Sequence, residues 1–95
     1  MTAFVILDIE VTEPVGYEDY KKLAAPSLEP YGGRYVARGG KVENLEGDWT
    51  PTRIVVIQFD SVERAKAWVN SSEYSEARAL RHKYAISKSI VVEGL

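Results

Sequence analysis

The sequence predicts an α+β fold in the order strand, helix, strand, strand, helix, strand, on three observations. Runs rich in Val, Ile and Leu lie at both ends and in the middle of the chain, two stretches between them carry apolar residues at helical spacing, and Gly or Pro punctuates most junctions. That order is the split βαβ, or ferredoxin-like, arrangement: a four-stranded antiparallel sheet with helices on one face.

Each element has its own justification. Ala3 to Val11 is apolar, bounded by Thr12-Glu13-Pro14, and of strand length. Pro14 suits a first helical turn, and Tyr17, Tyr20, Leu23, Ala24 and Leu28 then wind along one helix face. Pro26 and Pro30 are expected to break or kink this helix, and Gly32-Gly33 to stop it. Arg34 to Arg38 reads as a second strand, with a bend or bulge expected at Gly39-Gly40 and a resumption from Lys41 to Glu46. After a loop at Gly47 to Pro51, Arg53 to Phe59 is the third strand. Asp60-Ser61 with Glu63 forms a capping signature for a helix whose Val62, Ala65, Trp68 and Val69 share a face. Ser71-Ser72 cap a further helical segment, buried through Tyr74, Ala77, Ala79, Leu80 and Tyr84, in which Glu73 and Glu76 precede Arg78, Arg81 and Lys83 as the helix dipole favours. Ile86 to Glu93 closes the chain as the fourth strand.

At 95 residues, 45% hydrophobic and 27% charged, the chain is expected to form one globular domain over residues 1–95. Zero cysteines exclude disulfides, thiolate metal sites and a cysteine nucleophile, and their absence from so small a chain points to the cytoplasm. A formal charge of −2 offers no general attraction to nucleic acid or to anionic membrane, so neither is an expected partner. The first strand has no basic flank and carries Asp8 and Glu10, which reads as mature structure rather than an export signal. No apolar run approaches the roughly 20 residues that span a bilayer.

Two strands break the alternation that a one-sided sheet requires. Ala3, Val5, Leu7, Ile9 and Val11 make one face of the first strand, yet Phe4 and Ile6 make the other apolar too, and Ile54 and Val56 do the same behind Val55, Ile57 and Phe59. The helices suffice for one face only. The second is expected to be buried against another copy of the chain, giving a two-fold homodimer; strands merely richer in apolar residues than a monomer needs are the alternative.

Few residues carry chemistry. His82, among Arg81, Lys83 and Tyr84 at a helix end, is either a capping side chain or a general base. Asp8 shares a face with Phe4 and Ile6, where a carboxylate needs a partner, and is a candidate acid or base unless it and Glu10 simply pair with Arg38 or Arg53. Arg38 ends a strand before two glycines and Arg53 opens one after the Trp49 loop; brought to one end of the sheet, they would hold an anion or share a carboxylate from Asp8, Glu46 or Asp48. Tyr17, Tyr20, Tyr31, Trp49, Trp68 and Tyr74 supply aromatic walls with polar tips; Trp68 and Tyr74 fit helix faces and are expected in the core, while Trp49 serves either a ligand or a second subunit. The candidate set is thus Asp8 and His82 for proton transfer, and Tyr20, Arg38, Trp49, Arg53, Tyr74 and Arg81 for a small anionic or aromatic ligand. No cofactor and no metal are expected, since one His without Cys gives no ligand cluster and the glycines lack nucleotide-binding spacing.

Asp8-Ile9-Glu10-Val11-Thr12, Gly16-Tyr17 and Tyr20, Tyr31-Gly32-Gly33-Arg34-Tyr35, Arg38-Gly39-Gly40, Glu46-Gly47-Asp48-Trp49 with Pro51 and Arg53, and Ser72-Glu73-Tyr74 with Arg78 and Arg81 run almost end to end through the chain. In these the sequence resembles a widespread bacterial family of uncharacterised small proteins, a domain of unknown function related in fold to the dimeric α+β barrels. The resemblance implies a ferredoxin-like homodimer and no agreed activity; the wider superfamily hosts antibiotic-biosynthesis monooxygenases and muconolactone isomerase-like proteins. Two functions stay open: a small cofactor-independent enzyme, or a non-catalytic dimeric module that binds a ligand or only holds itself together.

Overall fold

The computed structural model describes residues 1–95, in the order β1 (Ala3–Val11), α1 (Pro14–Leu28), a 3₁₀ turn (Glu29–Tyr31), β2 (Arg34–Arg38), β3 (Ile54–Phe59), α2 (Val62–Val69), α3 (Ser72–Tyr84) and β4 (Ala85–Glu93). The strands form one sheet in the order β2-β3-β1-β4, every neighbour antiparallel. All three helices lie on one side, giving a slab of 34 × 33 × 16 Å. No helix is long and apolar enough to cross a membrane.

Strand periodicity sets the layers. Ala3, Val5, Leu7 and Ile9 of β1 and Val55, Ile57 and Phe59 of β3 are buried beneath the helices, which return Tyr17, Tyr20, Ala24, Leu28, Ala65, Trp68, Tyr74 and Ala77. Trp68 sits at the centre, its ring 5.6 Å from Phe59 and 4.0 Å from Tyr74, while its indole N–H donates to Ser27 Oγ at 3.0 Å. Both Ser caps act at the helix starts: Ser61 Oγ accepts from the Arg64 amide at 3.1 Å, and Ser71 Oγ from that of Tyr74 at 3.2 Å.

Four expectations are corrected. α1 runs through Pro26, because Pro26 and Lys22, whose carbonyl its ring leaves unpaired, both lie on the exposed side of the helix; the helix tightens into the 3₁₀ turn only at Glu29-Pro30. Leu23, placed on the apolar face, is exposed. Lys41 to Glu46 forms no strand: this stretch is exposed and leaves the sheet after Arg38. The bulge lies not at Gly39-Gly40 but two residues earlier, between Tyr35 and Ala37.

The outer face of the sheet carries no helix. Cross-strand register sets Ile90, Ile6, Val56 and Ala37 in one row and Val92 beside Phe4 in the next. Ile86, Ile90 and Val92 are exposed, whereas Ile6 and Ile54 are half-buried under the 40–52 loop, which lays Val42, Trp49 and Pro51 over them.

Candidate functional site

The bulge in β2 builds the site. Tyr35 and Arg38 are three residues apart, so a regular strand would send them to opposite faces. With Val36 as the extra residue, Tyr35 pairs with Ile57 and Arg38 with Val55, both of them core-facing, and the two side chains emerge together on the helix side. Arg53 joins them from the start of β3: its carbonyl extends the ladder by accepting the Ile9 amide at 2.8 Å, and it shares the inward parity of Val55. Residues 17, 20 and 21 close the cleft from α1, which Tyr17, Tyr20, Lys21, Tyr35, Arg38, Arg53 and Val55 line.

Each arginine lies over a ring. The Arg38 guanidinium stands 4.4 Å from the Tyr35 centroid and that of Arg53 5.8 Å from the Tyr17 centroid. Arg53 also packs against the Cα of Gly39, which has φ +70°; a Cβ there would collide with the guanidinium, so this glycine serves both the turn and the placement of Arg53. Arg53 Nε is buried without a hydrogen-bond partner. No carboxylate neutralises either arginine, since the ion pairs of the chain are Lys21–Glu18 at 2.7 Å and Lys41–Glu43 at 4.0 Å. The Lys21 contact holds the Glu18 carboxyl below its usual value, and Arg53 adds a weaker pull.

Behind the cleft runs a buried polar chain. Arg81 Nη1 donates to the Tyr74 hydroxyl at 3.1 Å, and the Tyr74 and Tyr20 hydroxyls lie 2.9 Å apart. Burial pushes the Tyr20, Tyr35 and Tyr74 hydroxyls above the ordinary phenol value, so they stay protonated at neutral pH.

The structure therefore brings Tyr20, Arg38 and Arg53 to one cleft and sets Tyr74 and Arg81 behind it. Asp8, His82 and Trp49 lie elsewhere. Asp8 is on the outer face, where it accepts from the Thr52 amide at 3.2 Å and hydroxyl at 3.4 Å. The expected pairing of Asp8 or Glu10 with Arg38 or Arg53 does not form, because strand parity sends carboxylates and guanidiniums to opposite sides of the sheet. His82 is exposed on α3, 3.4 Å from Arg81 Nη2, and partial desolvation with the charges of Arg81 and Arg78 lowers its pKa. Trp49, 60% exposed, stands over Ile6 and Ile54 on the outer face. Trp68, whose helical spacing with Val62 and Ala65 predicts a core position, is in the core. Sequence reasoning passed over Lys21 and Tyr35: a bulge without glycine leaves no mark in the sequence. No three His, Asp or Glu side chains converge as a metal would need.

The family model described as "Domain of unknown function (DUF1330)" matches residues 2–95, nearly the whole chain. The chain belongs to the DUF1330 family. This DUF1330 chain is similar in fold to a crystal structure of a protein of unknown function from Rhodopseudomonas palustris, at 19% identity and TM-score 0.78, over 99% of this chain and 82% of that one. It is also similar to a dimeric protein of unknown function with a ferredoxin-like fold from Bacteroides fragilis (14% identity, TM-score 0.68, 98% and 96% covered). A third likeness is to SnoaB, a cofactor-independent oxygenase from Streptomyces nogalater (11% identity, TM-score 0.65, 99% and 92% covered). At these identities the likeness establishes the ferredoxin-like fold. No curated protein matches the sequence.

Proposed function

We propose that this DUF1330 chain is the one-domain subunit of a cytoplasmic homodimeric α+β barrel whose cleft between α1 and the β2–β3 edge binds a small anionic molecule with an aromatic body. One observation carries this reading: two guanidiniums, each over a tyrosine ring, line one cleft with no carboxylate in ion-pair reach. Like charges held close without a counterion repel, and a bound carboxylate or phosphate relieves that repulsion through bidentate bonds. The rings of Tyr17, Tyr20 and Tyr35 supply the aromatic contact. With its side chains as they stand the cleft has about 10 Å³ free, room for one water, so a ligand enters by displacing the exposed Arg38, whose stacking on Tyr35 is its one cation–π contact.

The dimer reading is supported by the bare apolar face and by the dimeric Bacteroides fragilis relative in fold. A ligand-binding module is favoured over proton-transfer chemistry at Asp8 or His82, because neither lines the cleft. Thermal melting in phosphate, acetate, benzoate and phenol tests the cleft. A ligand at 100 times its Kd adds about 2.7 kcal/mol to stability. Benzoate is expected to raise the melting temperature of the parent, and Arg38→Ala or Arg53→Ala to abolish that rise while leaving the unliganded protein about as stable. A flat response to every anion, with a large stability loss in the arginine variants, would make the guanidiniums structural.

A further inference from the structure

The anion cleft is backed by a buried cation that has no counterion. Arg81 is 7% exposed, its Nε has no partner, and its bonds go to the Tyr74 hydroxyl and, at 3.4 Å, to His82 Nε2. A guanidinium that deep without a carboxylate is unfavourable unless something else uses its charge.

Hydrogen-bond direction shows where that charge is felt. Arg81 can only donate, so the Tyr74 oxygen accepts. Tyr74 is fully buried, and the remaining polar atom in reach of its hydroxyl is Tyr20 Oη at 2.9 Å. Either hydroxyl can donate across this contact; run from Tyr74 to Tyr20, the bond uses both the proton and the oxygen of the fully buried Tyr74. The Tyr20 proton then has no acceptor in the protein, and Tyr20 is the member of the chain that lines the cleft. A cation at the far end polarises both hydroxyls in the same sense and strengthens the last donor.

Resting on the anion-cleft reading, we propose that Tyr20 is an oxyanion donor, oriented and strengthened by Arg81 through Tyr74. The ligand class is thereby narrowed to molecules that place an ionisable hydroxyl, phenolic or enolic, against Tyr20 while an anionic or polar group meets Arg38 and Arg53. Such a donor stabilises the deprotonated hydroxyl more than the neutral one, because a hydrogen bond to a charged oxygen is the stronger. Burial keeps Tyr20 itself protonated, as a donor must be. Arg81 and Tyr74 are positioning residues here, since the group that touches the ligand is Tyr20. The other charged groups at the cleft are Lys21, Arg38 and Arg53, with Glu18 bound to Lys21.

The test uses the full chain with two probes, benzoate and 4-nitrophenol, the ionised form of the latter being read by its visible absorbance at a pH where the free probe is mostly protonated. The parent is expected to bind both and to raise the ionised fraction of bound nitrophenol. Tyr20→Phe should lower the ratio of ionised to neutral bound probe by about tenfold or more, the scale of one hydrogen bond to a charged group. Tyr74→Phe should lower it by less, and its benzoate affinity should stay within about threefold of the parent. Arg81→Met replaces Tyr74→Phe should the latter not fold; if neither folds, the parent's shift and its loss in Tyr20→Phe decide. An unchanged ionised fraction in Tyr20→Phe, or binding of nitrophenol only in its neutral form, overturns the relay while benzoate binding upholds the cleft. Failure of the parent to bind either probe overturns both.

Discussion

Trp68 joins the helices to the sheet: its ring packs between Phe59 and Tyr74, and its N–H is satisfied by Ser27 in the last turn of α1. Trp68→Ala should therefore lower unfolding stability by roughly 3–5 kcal/mol, measured by denaturant titration; a variant as stable as the parent would contradict that packing. The buried phenols give a pH dependence whose sign is fixed. Folded-state values above the ordinary 10.0 for Tyr20 and Tyr74 mean that the unfolded chain releases protons first as pH rises. Their contribution is intact below about pH 10 and is lost progressively above it. Melting temperature should fall through that range in step with tyrosinate absorbance; tyrosines that all titrate near 10 without loss of stability would contradict the burial. Residues such as Trp68 and Ser71 were legible in the sequence because helical spacing and capping are local. The meeting of Tyr17, Tyr35 and Arg53 was not, since it depends on which strands become neighbours and on the small clearance over Gly39.

Among elements, β1, β3 and β4 were legible within a residue or so, because Phe4 to Leu7, Ile54 to Ile57 and Ile90 to Val92 each form an apolar run. β2 was legible as a strand but not in its register. Its bulge makes a distinct prediction: deleting Val36 alone removes the extra residue and still leaves Arg38 opposite Val55, so benzoate-dependent stabilisation persists. Deleting Val36 and Ala37 together moves Arg38 opposite Val56 and turns it to the outer face, so the stabilisation is lost. Equal behaviour of the two deletions in thermal melts would contradict the register argument. The Lys41 to Glu46 stretch misled as a continuation of β2 because Gly39-Gly40 read as a bend within one strand; in the structure it makes no ladder, and Val42, Trp49 and Pro51 lie instead over the outer face.

At the scale of the whole molecule, a slab 16 Å thick has helices to cover one face only. The helix-free face, covered in part by the 40–52 loop over Ile6 and Ile54, lies within a 34 × 33 Å outline, large enough for the roughly 800 Å² per partner that a standard interface buries. Light scattering after size exclusion should give twice the 10.6 kDa chain mass, and Ile54→Asp, which puts a charge on that face, should yield monomer or unfolded chain. A parent that runs as a monomer would contradict the dimer. A dimer formed through that face would leave the cleft free, since Arg38 and Arg53 open on the helix side of the sheet. The central claim, that these two arginines hold a small anion, is tested most directly by calorimetric titration of benzoate into the parent and into the double variant Arg38→Ala/Arg53→Ala. Saturable binding of one benzoate per chain is expected in the parent and none in the double variant; equal affinity in the two, or no saturable heat in the parent, would take the anion site away from these arginines.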